Sequence, residues 1–259
     1  MDITAFQHFK QLHYQPAPLL LSTIWDARSA AISQTLGFAA LGTSSAAIAS
    51  MLGYTDGEQM PFAELRYVVN RICASTTLPV SVDLEGGYSR DPREIARHIW
   101  ELAALGVVGI NLEDSVSENG SRKQQNPEAF SETLRTVRRL CDKQQVKVFL
   151  NIRTDTYLLG TANPLTATLQ RLRLYEAAGA DGLFVPGLTN LTETRDICRA
   201  TLLPVNVMAL PALSDFAALA AAGVRRISMG NFLFEALARQ QTQLSQQIQQ
   251  NQVFTSLFA

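Results

Sequence analysis

Eight short apolar runs alternate along the chain with longer stretches whose apolar residues recur at helical spacing. The short runs occupy residues 19–25, 38–44, 79–84, 107–112, 147–153, 182–186, 204–208 and 226–229. Most are too apolar for a sheet with one wet face and fit parallel strands covered by helices. The helical stretches carry punctuation. Asp91-Pro92, Asn126-Pro127 and Asn163-Pro164 each join a side chain suited to N-capping to a proline suited to the first turn. Gly37, Gly106, Gly179 and Gly223 each follow a helical stretch and precede the next strand, where glycine supplies a left-handed C-cap. Strands alternating with helices imply right-handed crossovers and a parallel sheet. A count of eight favours closure, and no G-x-G-x-x-G follows the first strand to support a dinucleotide fold. The pattern predicts a single-domain (β/α)8 TIM-type barrel over residues 1–259, the barrel at about 19–237 and a C-terminal helical extension at about 238–259.

Composition narrows the partners. Hydrophobic residues make up 47% of the chain and charged residues 17%, enough for a large core. A net charge of −1 without a basic run argues against nucleic acid and anionic membrane as partners. No apolar stretch reaches the roughly 20 residues that span a bilayer, and residues 1–10 lack a signal-peptide core. Cys73, Cys141 and Cys198 lie far apart within helical stretches and read as small buried hydrophobes of a cytoplasmic protein.

Chemistry in such barrels collects at the carboxyl ends of the strands. Those ends carry Trp25-Asp26, Thr43-Ser44-Ser45, Asp83-Leu84-Glu85, Asn111-Leu112-Glu113-Asp114, Asn151-Ile152-Arg153-Thr154-Asp155, Pro186-Gly187, Asn206 and Ser228-Met229-Gly230. Alternation places Asp83 with Glu85, Asn111 with Glu113, and Asn151 with Arg153 and Asp155 on shared faces. Carboxylates converging on one mouth repel unless a cation joins them, and oxygen-only ligands suit Mg2+ or Mn2+. Asp26, Asp114 and Asp155 read equally well as helix caps or partners of arginines. Absences matter too. The four lysines (Lys10, Lys123, Lys143, Lys147) all lie away from strand ends, which disfavours a Schiff base. His8, His13 and His98 are placed for structural roles, leaving no evident imidazole base or zinc site. A metal, carboxylates, one arginine and a serine pair are parts for stabilising an enolate, not for acylating a nucleophile.

These strand ends, with Gly53-Tyr54-Thr55-Asp56-Gly57 and Gly223-Val224-Arg225-Arg226-Ile227-Ser228-Met229-Gly230, resemble those of the isocitrate lyase/phosphoenolpyruvate mutase superfamily over residues 19–237. The resemblance implies that Asp83 is the principal metal-side carboxylate, with Asp56, Glu85 and Glu113 holding the ion mostly through waters. It implies that Ser44, Ser45 and Ala46 cradle the substrate carboxylate and that Arg153 neutralises the carboxylate and 2-oxo end. Asp83, Arg153 and Glu113 are thus the expected catalytic set, and Asn206 a further expected substrate contact. Members break or form C–C bonds beside such an acid, or move or hydrolyse a C–P bond. The loop 115–126 departs from both patterns: it has neither the Lys-x-Cys-Gly-His segment of lyases nor the Lys-Thr-Asn segment of mutases, and Pro186 replaces a mutase histidine. Arg122 and Lys123 there read first as solvated loop charge, with a swing of either into the site as the alternative. The leading expectation is a lyase, followed by a phosphonomutase-like or phosphonate-hydrolysing enzyme, then a non-catalytic 2-oxo acid binder. The apolar positions of the last helix and of Val253-Phe254 and Leu257-Phe258 predict a homo-oligomer whose C-terminal segment packs on another subunit, and the resemblance implies a homodimer or homotetramer with that helix swapped between neighbours.

Overall fold

The computed structural model describes residues 3–118 and 121–258. In chain order the elements are α1 (Ile3–Leu12), β1 (Leu19–Leu20), β2 (Ser22–Ile24), α2 (Ala27–Thr35), β3 (Leu41–Thr43), α3 (Ser45–Met51), α4 (Phe62–Cys73), β4 (Val80–Asp83) and α5 (Pro92–Ala104). Then come β5 (Gly109–Glu113), β6 (Ser115–Glu118), β7 (Ser121–Gln124), α6 (Pro127–Lys143), β8 (Phe149–Arg153), α7 (Pro164–Ala177), β9 (Gly182–Phe184), α8 (Leu191–Arg199), β10 (Val205–Met208), α9 (Phe216–Ala222), β11 (Arg226–Ser228) and α10 (Phe232–Asn251).

The main sheet is parallel and runs β1-β11-β10-β9-β8-β5-β4-β3-β2. Its two ends, β1 and β2, are one extended segment parted at Leu21, whose N–H still reaches the Ile227 carbonyl at 3.0 Å. The sheet therefore closes into the expected α/β barrel, with the first predicted strand shared between β11 on one side and β3 on the other.

Period-two alternation decides what faces where. On β4, β5 and β8 the residues Val82, Ile110, Leu112, Leu150 and Ile152 point outward into the shell under the helices. That shell is completed by Leu65 and Val69 of α4, Ile99 and Leu102 of α5, and Leu134 and Val137 of α6. The same strands carry Ser81, Asp83, Asn111, Glu113, Asn151 and Arg153 at the intervening positions. The barrel lumen is consequently polar in its middle and charged at its mouth, where most such barrels hold branched apolar residues.

At the opposite end α1 closes the lumen. The Phe9 ring meets Phe149 edge-on at 5.7 Å, and the buried His13 ring stacks on Phe149 at 4.2 Å. His13 Nδ1 bonds the Phe9 carbonyl, and burial drives its pKa down to about 3. This plug was not foreseen from the sequence; its single apolar residues gave no reason to place it under the barrel.

Asp91 and Asn126 cap α5 and α6 as expected, and all four predicted glycines adopt positive φ. Asn163 differs: it takes the left-handed conformation itself, with φ 51°, and its side chain makes no cap bond. The stretch read as a loop after the fourth strand contains the antiparallel hairpin β6–β7. All three cysteines are free, Cys141 buried and the others half-buried. Among the described residues no helix is long and apolar enough to cross a membrane. Helix α10 leaves the barrel without one fully buried residue, touching it where Phe234 meets Trp25 at 5.2 Å.

The plug depends on one small residue. A Cβ on Gly109 would stand 2.7 Å from the Phe9 ring and 2.8 Å from Ser81 Oγ. Gly109→Val should lower the urea-unfolding free energy by about 1–3 kcal/mol, the usual cost of overpacking; an unchanged midpoint and slope would remove α1 from the closed floor.

Candidate active site

A pocket of about 170 Å3 opens at the carboxyl ends of the strands. Ser44, Ser45, Ala46, Asp56, Asp83 and Arg153 all line it, so six of the expected site residues converge. Asp83 ends β4 and its backbone N–H is anchored by Thr43 Oγ1 at 2.9 Å. Its Oδ2 accepts from Ser45 Oγ at 2.9 Å, whereas Oδ1 is buried and has no partner. Burial raises the Asp83 carboxyl, against the pull of Arg153 and the Ser45 hydroxyl. Ser44 is committed locally: its N–H bonds the Ile24 carbonyl and its hydroxyl caps α3 through Ala47 N–H. Ser45 and Ala46 occupy the first turn of α3, where amides have no intrahelical acceptor.

Behind this face lies a knot of arginines and carboxylates. Arg153 donates from Nε to Asp155 Oδ1 at 2.6 Å and from Nη2 to Asp155 Oδ2 at 3.1 Å, while Nη1 meets Glu113 Oε2 at 3.0 Å. Arg122 Nη1 bonds both oxygens of Glu113, at 2.8 and 2.9 Å, and lies 3.2 Å from Asp155; its Nη2 reaches Asp56 at 3.2 Å. The expectation of solvated charge at Arg122 is therefore overturned. Alternation in β7 turns Arg122 and Gln124 toward the barrel, and the Arg122 side chain keeps only 18% of its exposure. Gly57, with φ 100°, lets the Asp56 loop lie directly against Ser117 of the hairpin, where a Cβ would collide. Two guanidinium groups thus offset much of the charge for which the sequence pattern called on a metal. Burial raises the Glu113 carboxyl to about 7, opposed by Arg153 and reinforced by Asp155.

Glu85 and Glu113 do not line the pocket. Glu85 leaves the extended conformation, with φ 51°, and turns into a network of its own. It accepts from Tyr88 Oη at 3.1 Å and from Glu58 N–H at 2.8 Å, and Glu58 in turn pairs with Arg90 at 2.6 Å. Burial, followed by the like charges of Asp56 and Asp83, raises Glu85 to about 8. Strand alternation, which placed Glu85 beside Asp83, no longer applies two residues past the end of β4.

The remaining acids divide cleanly. Asp26 caps α2 through a capping box with Ser29. Asp114 is fully buried against Arg171, Tyr175 and Thr154, and is structural. Asn206 is buried in the lumen, with Nδ2 3.4 Å from Ser228 Oγ and Oδ1 unpartnered, and stands outside the pocket lining. His98 bonds the Gly87 carbonyl and does not line the pocket. Sequence reasoning ranked the inward turn of Arg122 second and missed Arg226, Glu58 and Tyr88. An alternating run on either side of Asn119-Gly120 was a hairpin signal that could have found Arg122. Residues 119–120 themselves lie outside the described residues.

The sequence matches the family model described as phosphoenolpyruvate phosphomutase over residues 9–249. The chain belongs to the phosphoenolpyruvate phosphomutase family. An uncharacterized protein of Mycobacterium tuberculosis H37Rv is 35% identical over 88% of this chain and 83% of its own length. An oxaloacetate decarboxylase of Bradyrhizobium sp. BTAi1 is 33% identical over 81% of this chain and 73% of its own. The crystal structure of a proposed phosphonomutase from Burkholderia cenocepacia J2315 superposes with a TM-score of 0.88, at 39% identity, covering 94% of this chain and 99% of that one. Lyases and mutases make up the phosphoenolpyruvate phosphomutase superfamily, so this member is an enzyme of that class. Members generally depend on a divalent metal.

The raised Glu85 carboxyl sets a pH dependence. A folded-state value of about 8 against an ordinary 4.5 gives stability that is complete below pH 4.5 and lost as pH rises through 8. Glu85→Gln removes that loss, because its amide can accept from Glu58 N–H and donate to the Tyr88 hydroxyl. In chelator, the variant should melt several degrees above wild type at pH 8.5, with the gap closing toward pH 4.5. A gap independent of pH would show that Glu85 is ionised throughout.

Proposed function

We propose that this enzyme is a divalent-metal-dependent lyase that cleaves a C–C bond beside the carboxyl end of a small 2-oxo or 2-hydroxy acid, through an enolate. The observation that carries this reading is the buried, unpartnered Asp83 Oδ1 on the same small pocket as Arg153 and the first turn of α3. Among the described residues no three His, Cys, Asp or Glu side chains stand close enough to share an ion. That suits Mg2+ or Mn2+ held directly by one carboxylate, Asp83, with Asp56 acting through a retained water, whereas Glu85 and Glu113 stand outside the pocket lining. When bound, the ion supplies Lewis-acid charge beside the 2-oxo group. The chain supplies the rest. Arg153, fixed by Asp155 and Glu113, presents permanent positive charge to the oxygen that becomes negative, and it needs no reorganisation to do so. Ser45 and Ala46 offer amides to the substrate carboxylate. Glu113 and Asp155 act through the arginines they hold and are positioning residues.

The oxaloacetate decarboxylase relative favours C–C cleavage, whereas the 39% identity to a proposed phosphonomutase keeps C–P chemistry as a second reading. Turnover on a panel of 2-oxo and 2-hydroxy dicarboxylates against a panel of phosphonates, with Mg2+ and with chelator, separates the two. The free cysteines fit a reducing cytoplasm. We also assign the exposed apolar residues of α10 and the tail (Phe232, Leu237, Phe254, Phe258) to a contact with another copy of the chain.

Asp83→Ala should abolish the Mg2+-dependent part of oxalate binding in calorimetry, while circular dichroism stays native. Retained metal dependence would remove Asp83 from the ion site. Arg153→Lys should weaken binding by about 1.5–3 kcal/mol, since an ammonium cannot reproduce the guanidinium fork. Truncation after Arg239 should shift the light-scattering mass to monomer or cause aggregation; a full-length chain that is monomeric at micromolar concentration contradicts the assembly.

A further inference from the structure

The floor of the pocket holds a charge that the reaction described above does not use. Arg226, in β11, points into the lumen, is 2% exposed and is the largest of the fully buried side chains. It lines the same pocket as Ser45, Ala46 and Arg153. Nη2 donates to Asn111 Oδ1 at 3.1 Å, and that oxygen already accepts from Asn151 at 2.9 Å. Nε and Nη1, which carry three of the five guanidinium N–H bonds, are buried without partners.

Its isolation is unusual within this molecule. Arg122, Arg138, Arg153 and Arg171 are each partly or wholly buried, and each meets a carboxylate. Among the described residues Arg226 meets none. Burial lowers its pKa to about 9, with Asp83 the acid that opposes the shift, so the group stays cationic at neutral pH. A buried cation without a counter-charge is strongly unfavourable, and an anion placed against its free N–H bonds relieves that cost. The unpartnered Ser81 Oγ and the Oδ1 of Asn206, the register partner of Arg226, add polar atoms to the same lumen. Asn206 can present its amide N–H2 there by rotating about its last torsion.

We propose that Arg226 forms an anion subsite on the pocket floor, and that it takes the far carboxylate of a ligand whose near carboxylate lies at the mouth against Ser45, Ala46 and Arg153. The mouth end of this proposal rests on the function proposed above; the floor end does not. The pocket is small, about 170 Å3, so the two carboxylates belong to a short acid of about four carbons. A free inorganic anion offers Arg226 the same charge, and the experiment separates the two sources.

Crystals of the full chain soaked in sodium bromide, with anomalous data at the bromine edge, test the floor without any organic ligand. Bromide is expected beside Arg226 in wild type, absent in Arg226→Met, and displaced from wild type by succinate. Calorimetry with malate and lactate in Mg2+ tests the link to the mouth, because these acids differ only in the second carboxylate. Malate should bind wild type at least about tenfold more tightly, as expected for a charge-paired hydrogen bond. That ratio should fall to about one in Arg226→Met, with lactate affinity unchanged. If Arg226→Met does not fold, Arg226→Lys should keep bromide and lose part of the ratio. Absence of bromide from wild type overturns the subsite. Bromide that succinate cannot displace, or a malate preference that survives in the variant, overturns the assignment to a ligand carboxylate. If neither acid binds wild type, the mouth reading has failed, and succinate displacement of bromide alone decides the floor.

Discussion

Two arginines and two carboxylates hold one another at the barrel mouth, and the geometry of the pocket hangs on that knot. Glu113 comes from β5, Arg153 and Asp155 from β8 and the loop directly after it, and Arg122 from the hairpin, so three separate segments meet in one set of contacts. Removing these charges from water is costly, and only mutual contact with good geometry offsets it. Any one of them left alone would be expelled toward solvent. Together they fix the Arg153 plane, tie the β6–β7 hairpin across the mouth and reach Asp56 on a third loop.

With Glu113 and Asp155 already neutralised, Asp83 becomes the distinctive acid of the pocket. Its Oδ2 is satisfied by Ser45, and its Oδ1 is left facing a lined space. Glu85 has been drawn away by Tyr88 and Glu58, and burial favours its neutral form. The mouth thus presents one available carboxylate oxygen beside one fixed guanidinium, a much sharper arrangement than a ring of equivalent acids. An enolate-forming reaction needs that asymmetry: positive charge where oxygen becomes negative, and a separate attachment for the carboxylate.

Below the mouth the lumen changes character in layers. Charged groups give way to Asn111, Asn151, Asn206 and Arg226, and these to the aromatic floor of Phe9, His13 and Phe149. The floor seals the polar middle from water at the amino-terminal end, so the lumen opens to solvent through the mouth. Gly109 makes this possible, since the Phe9 ring occupies the space a side chain would need.

The barrel was legible in the sequence because its signals are local. Strand and helix periods, proline at first turns and glycine at left-handed caps each act within a few residues, and alternation alone separated Asp83, Asn111 and Arg153 from the outward apolar set. Family motifs added the Ser44–Ala46 segment and Asp56, and the pocket lining includes all of these residues. What local pattern could not supply was anything decided by charge pairing across the chain. Arg122 turns inward because Glu113 and Asp155 need a counter-charge, although its neighbours in sequence are polar and its loop looked solvated. Glu85 turns away because Glu58 and Tyr88, from a different loop and from beyond the strand end, capture it. Arg226 read as one more residue of a motif until the closed sheet put it in the lumen, bonded to Asn111 and, among the described residues, without an ion-pair partner. Period and propensity act along the chain, whereas desolvation and Coulomb energy depend on which segments the fold brings together; only the tertiary structure contains that information.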